Sequence, residues 1–91
     1  MNKSDLVSAV TSASDTSKAD AARAVDAVFD AITDALSRGE DVRLVGFGSF
    51  SVVERSGRMD RNLGTGADIY IPASRQPKFR AGKQLKNAVN R

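Results

Sequence analysis

The chain has no cysteine, no histidine and no tryptophan, and only two prolines, one tyrosine and four phenylalanines in 91 residues. Each absence removes a class of function. Without cysteine there are no disulfides and no thiolate-metal sites, which fits a reducing compartment. Without histidine the commonest metal ligand and the commonest general base are both missing. Catalysis would fall to carboxylates, hydroxyls, lysine or Tyr70, and no acid–base pair stands at a plausible spacing. The expectation is a protein that is not an enzyme and needs no cofactor. Long apolar runs are absent too. No stretch approaches the ~20 apolar residues of a membrane span. Met1 to Val10 is polar and charged, unlike a secretion signal, so the expected location is the cytosol. The sequon Asn2-Lys3-Ser4 accordingly reads as a helix cap rather than a glycan acceptor.

A chain of this length makes one domain. Alone, it buries only roughly 60–65% of its unfolded surface. Small domains usually add a disulfide, a metal or a partner subunit. With the first two excluded by composition, association with another subunit is the expected support.

What is present is an uneven charge. Met1 to Glu40 carries four Lys/Arg against seven Asp/Glu, a net of −3; Asp41 to Arg91 carries ten against four, a net of +6. That asymmetry suggests a scaffold half, 1–40, and a basic, partner-facing half, 41–91.

Asn2 caps a first helix, with Asp5 at the capping-box position and Leu6, Val7, Val10 and Ala13 at helical spacing. Ser17 caps a second, longer helix. There Val25, Val28, Phe29, Ile32 and Leu36 form one apolar stripe, and Ala24, Ala27, Ala31 and Ala35 widen it. So wide a face has more to hide than one small sheet can cover. Gly39, after Arg38, ends the helix. The period then changes to two. Val42, Leu44 and Val45 make a short strand, Gly46-Phe47-Gly48 a tight turn, and Ser49 to Arg58 a longer strand. Arg58 to Gly66 reads as a hairpin tip, and Ala67 to Ala73 as a third strand broken by Pro72. Pro77 falls in a connector, Phe79 anchors the core, and a last helix starts near Ala81 or Gly82. The fold class is α+β: two helices, a three-stranded antiparallel sheet with an extended arm at about 55–70, and a C-terminal helix.

Three features that resemble ligand sites have simpler readings. Gly46 and Gly48 lack the third glycine and the following helix of a nucleotide-binding loop, and Gly82-Lys83 lacks the rest of a P-loop. Asp26, Asp30 and Asp34 form a solvated helix face near Arg23 and Arg38, so no metal site is expected. Phe47, Phe50 and Phe79 are core residues rather than a base-stacking platform.

The segments VRLVGFGSFSVVERSGR (Val42 to Arg58) and IPASRQPKFRAGKQLKNAVN (Ile71 to Asn90) resemble the bacterial histone-like HU family, related to integration host factor. So do MNKSDLV (Met1 to Val7) and SKADAARAVDAVFDAI (Ser17 to Ile32). The similarity runs over essentially the whole chain without gaps. It implies an intertwined homodimer, or a dimer with a paralogous subunit, that binds and bends double-stranded DNA in the nucleoid. It also implies a preference for nicked or already bent duplexes. In that family two β-ribbon arms enter the minor groove and an apolar tip residue wedges between base pairs. Transferred to this chain, DNA contacts fall to Lys3, Arg55, Arg58, Arg61, Asn62, Leu63, Thr65, Arg80, Lys83 and Lys86, with Lys78 beside them. The dimer and core residues become Val25, Val28, Phe29, Ile32, Leu36, Leu44, Phe47, Phe50 and Phe79. The tip departs from the family's RNPxTG. Leu63 replaces the proline, Met59 stands where lysine is usual, and Asp60 where a small residue is usual. Leucine is also an apolar wedge, without proline's fixed φ. Two other classes of function stay open on the residues alone. One is a single-strand or RNA-binding module; the other is a helical interaction protein working through the second helix.

Overall fold

The first two helices begin where side chains satisfy their free amides. The computed structural model describes all residues from Met1 to Arg91. Helix α1 spans Lys3–Ser14 and α2 spans Lys18–Ser37. Asn2 Oδ1 accepts from the Asp5 amide at 2.9 Å, and the Asn2 amide donates to Asp5 Oδ2 at 3.1 Å. This reciprocal pair satisfies two donors that the first turn leaves unpaired. Ser17 Oγ accepts from the Asp20 amide at 3.1 Å at the head of α2. Gly39, at φ +77°, closes α2 in the left-handed conformation that glycine adopts without strain.

The helices meet along Val7, Ala21 and Val25, with Leu6, Val10 and Ala22 against them. This is a small core. Only four residues of the chain are buried, the fourth being Gly48.

After α2 come β1 (Val42–Leu44), β2 (Gly48–Arg55), β3 (Arg58–Arg61), β4 (Asp68–Ile71), β5 (Ser74–Ala81) and α3 (Lys83–Val89). Strands β1, β2 and β5 form one antiparallel sheet in that order, and β3 and β4 form a separate two-stranded ladder. The β1–β2 turn holds Gly46 at φ +86°, as the glycine spacing predicts.

The sequence reading of the third strand needs correction. It puts that strand at Ala67–Ala73 and Pro77 in a connector. In the structure the third strand of the sheet is Ser74–Ala81, and Pro77 lies within it opposite Val52. Proline is tolerated because β5 is an edge strand in this chain, where one side of its ladder is unpaired. Residues Asp68–Ile71 pair instead with Arg58–Arg61. The hairpin tip is therefore shorter than Arg58–Gly66, and the strand expected to run from Ser49 to Arg58 stops at Arg55, before Ser56-Gly57.

The registers sort the sheet into two faces, because directly paired residues share a side and neighbours alternate. Phe50 pairs with Phe79, Val52 with Pro77 and Val42 with Phe50. That face is apolar. Its centre is an aromatic cluster, with Phe79 4.8 Å from Phe50 and 5.5 Å from Phe47 between ring centroids.

This apolar material is only half covered. Val25 is buried and Ile32, Leu36 and Phe50 are half-buried, but Val28, Phe29, Leu44, Phe47 and Phe79 are exposed. An apolar groove of about 230 Å³ is lined by Leu6, Val10, Ala24, Val25, Val28 and Phe29. The radius of gyration is 18.9 Å, against about 12 Å for a compact chain of this length. The accessible surface is 7368 Å², against about 5,100 Å² for a compact monomer of this mass. Part of the excess is the projecting ribbon and part is this uncovered face. No helix is long and apolar enough to cross a membrane.

Candidate nucleic-acid interface

The opposite face of the sheet is cationic. Ser49 pairs with Arg80, Ser51 with Lys78, Val53 with Gln76 and Arg55 with Ser74, while Arg43 joins the same side through Ser49. Arg43, Arg55, Lys78 and Arg80 thus stand on one surface with serine, glutamine and valine between them and no carboxylate. Gly82 links β5 directly to α3, where Lys83 and Lys86 lie one turn apart. From Ser74 to Arg91 the chain has six Lys/Arg and no Asp or Glu. The structure therefore places Arg43, Arg55, Lys78 and Arg80 on one face of the sheet, with Lys83 and Lys86 on the helix that follows it. Arg43 is missed by the sequence reading. Its signal is the period-two register, which needs the β1–β2 turn to be placed correctly.

Phe50 and Phe79 are on the other side from Lys78 and Arg80. A base-stacking platform needs aromatics on the cationic surface itself. This arrangement does not provide one.

The ribbon is a different environment. Arg58 Nη2 lies 3.8 Å from Asp60 Oδ2. Asp60 Oδ1 accepts from the Arg61 amide at 2.8 Å. Arg61 is directly opposite Asp68. At the tip, the Asn62 amide donates to Ala67 O at 2.8 Å and the Gly66 amide donates to Asn62 O at 2.7 Å. Asn62 Oδ1 accepts from the Gly64 amide at 2.9 Å, and Thr65 Oγ1 accepts from the Ala67 amide at 3.3 Å. Asn62 and Thr65 therefore shape the turn. Leu63 projects from it 96% exposed. The position of Asp68 across the ladder from Arg61 is also missed by the sequence reading, because only the register reveals it.

Lys3 sits apart, at the head of α1. Its Nζ lies 2.5 Å from Asp26 Oδ1. The hydrogen bond and charge of Asp26, helped weakly by Asp30, raise its pKa above the ordinary lysine value of 10.5. A raised folded-state pKa means that the stabilisation is complete below the unfolded value and fades as pH climbs through the folded one. The stability difference between the parent and Lys3→Met is thus expected to be constant from about pH 6 to about pH 9. It should shrink above pH 10.5. Thermal melts across that range check it, and a difference that already fades near neutrality would contradict it.

Arg75 alternates to the apolar side of the sheet. It donates to the Ser37 carbonyl at 3.4 Å and lies 3.8 Å from Glu54, tying the sheet to the end of α2.

The chain is similar to known proteins over nearly its whole length. Residues 1–90 match the family described as bacterial DNA-binding protein. The chain is 59% identical over 90 residues to the DNA-binding protein HU-1 of Halalkalibacterium halodurans, covering 99% of this chain and all of that one. It is 56% identical over 89 residues to the DNA-binding protein HU 1 of Bacillus subtilis, covering 98% of this chain and 97% of the relative. Among solved structures it superposes on Anabaena HU, crystallised with DNA, with a TM-score of 0.88, 43% identity, and 98% and 97% of the two chains covered. HU from Thermotoga maritima gives a TM-score of 0.68 at 32% identity, with 98% of each chain covered. Matched over residues 1–90 by the family model and 59% identical to a full-length HU relative, this chain belongs to the bacterial DNA-binding protein family that contains the HU proteins.

Proposed function

We propose that this chain is an architectural protein that binds double-stranded DNA with little regard to sequence, bends it, and helps to compact the nucleoid. The observation that carries the reading is the carboxylate-free cationic sheet face running into α3, on a chain that also projects a ribbon with an apolar tip. Phosphates are the natural partners of such a surface, and phosphate contacts position a protein without reading bases. Lys78, Arg80, Lys83 and Lys86 hold the backbone. Arg55, Arg58 and Arg61 follow the ribbon toward the minor groove, where arginine is favoured. Lys3 can take a flanking phosphate only by giving up Asp26. Nothing in this role requires a reaction, a metal or a cofactor.

The working unit is a dimer, of identical chains or with a paralogous subunit. The exposed stripe of α2 and the exposed aromatic cluster supply the surface that a second copy would bury. Residues 1–40 form the dimerising base of a single domain, and 41–91 carry the sheet, ribbon and last helix. The dimer acts in the cytoplasm, on the chromosome.

Leu63 is the wedge. A leucine taken from solvent into a base step gains about 1.5 kcal/mol or more. Leu63→Ala is therefore expected to weaken binding to nicked duplex about tenfold and to reduce its bend, while Leu63→Pro keeps both. Equal bending by the parent and both variants in a fluorescence-transfer assay would remove the wedge. If the parent chain preferred single strands over nicked duplex, the whole reading would fail.

A further inference from the structure

Charge on this molecule is partitioned. The sheet face and α3 present cations alone, whereas the ribbon from Arg58 to Ile71 holds two arginines and two aspartates and has no net charge. The compensation is structural rather than merely compositional. Asp60 is fixed by the Arg61 amide and stands 3.8 Å from the Arg58 guanidinium. Asp68 occupies the position across the ladder from Arg61. Each ribbon arginine thus has a carboxylate next to it on its own face of the strands. We infer that Asp60 and Asp68 are specificity-determining residues that hold the ribbon out of an intact minor groove and admit it where the groove has opened. The inference rests on the duplex-binding reading above.

The physical argument compares two destinations for the same carboxylates. The minor groove of an intact duplex is about 6 Å wide. Phosphates flank it on both sides, well inside the ~10 Å screening length at 0.1 M salt. A ribbon entering it brings two negative charges into a focused negative potential, one 3.8 Å from the Arg58 guanidinium and one across the ladder from Arg61. At a nick or gap the strands splay, the phosphates separate and water enters. The repulsion felt by Asp60 and Asp68 falls, while the attraction of the sheet face for the flanking backbone is unchanged. The acids therefore cost more on intact DNA than on distorted DNA, and the difference is selectivity. A repulsive element of this kind discriminates by disfavouring the wrong target rather than by improving the right one.

The experiment uses the full chain with Asp60→Asn and Asp68→Asn together. Asparagine keeps the size of the side chain and the acceptor that Asp60 offers to the Arg61 amide. Affinities are measured on intact and nicked duplexes of one sequence, each across a salt series. The double variant is expected to bind intact duplex about tenfold more tightly and nicked duplex no more than about threefold more tightly, so that the preference narrows. The salt slope on intact duplex should steepen as ribbon arginines no longer offset by neighbouring carboxylates displace counterions. Equal tightening on both duplexes, or none on either, overturns the inference. A parent chain that binds neither duplex overturns the function it rests on instead, and that result is read before any variant is compared. Lys78→Ala, on the sheet face, is the control and should weaken both duplexes alike.

Discussion

Raising monovalent salt from about 50 mM to about 200 mM is expected to weaken duplex binding by roughly 10³-fold or more. The size of the effect follows from how many phosphates are neutralised. Arg55, Lys78 and Arg80 share one carboxylate-free face of the sheet, and Lys83 and Lys86 follow on the adjoining helix. Two protomers double that surface. With about six to ten phosphates engaged, log affinity falls with log salt at a slope near −0.9 per phosphate. Lys78→Ala with Arg80→Ala removes four side chains from a dimer and should flatten the slope by about 3 to 4 units. If these residues hold phosphates, as proposed, the loss should be uniform across duplex sequences. Equilibrium titrations at several salt concentrations measure both quantities. An affinity that hardly moves with salt would mean that the cationic face is not the contact surface.

Phe79→Ala is expected to dissolve the dimer rather than merely loosen it. Phe79 packs between Phe47 and Phe50, yet in the single chain it is still 42% exposed. If a second subunit covers the cluster, truncation should cost the 3–5 kcal/mol typical of phenylalanine in a filled core, or about that for each protomer. Against a total stability of about 5–15 kcal/mol, that is decisive. Gly48→Ala attacks the same cluster from the other side. A Cβ at residue 48 would lie 2.5 Å from Phe79 Cζ and 2.7 Å from the Arg80 carbonyl oxygen, so strand or ring must move. The expected loss is smaller, about 1–3 kcal/mol. Denaturation at several protein concentrations reads both variants and tests the premise, since the parent's midpoint must rise with concentration if association stabilises it. A concentration-independent midpoint, with Phe79→Ala costing little, would leave the aromatic cluster a surface feature.

Local signals in the sequence were sufficient for the helices and insufficient for the strand pairing. Asn2 with Asp5, Ser17 with Asp20, and Gly39 each act within a few residues, so the ends of α1 and α2 can be read directly. The apolar stripe of α2 is legible for the same reason, as is its excess width. The assignment of β5 failed on Pro77 and Arg75. Ser74 to Ala81 does alternate, but proline argues for a connector, and an arginine on the apolar side hides the period. Only the edge position of β5 and the contact of Arg75 with the end of α2 make both residues acceptable. The site divides along the same line. Lys83 and Lys86 are placed one turn apart by helical spacing, whereas Leu63 is singled out only by the resemblance of the tip to the family's RNPxTG. The pairing of Arg61 with Asp68 depends on how many residues the intervening turn consumes, and no local pattern carries that number.

The ribbon is joined to the body at two short breaks, Ser56-Gly57 on one strand and Pro72-Ala73 on the other. The breaks face each other, since Arg55 pairs with Ser74 just below them and Arg58 with Ile71 just above. Backbone hydrogen bonding lapses across both at once, which makes a paired joint, and Tyr70 lies against Gly57 inside it. A two-stranded ladder with no second layer is marginal by itself. Amide exchange should therefore be fastest from Arg58 to Ile71 and slow from Gly48 to Arg55, with the boundary at the joint. A rigid clamp would fit only one curvature of its target. With an articulated wrist, the same palm can grip helices that differ in how far they are already bowed.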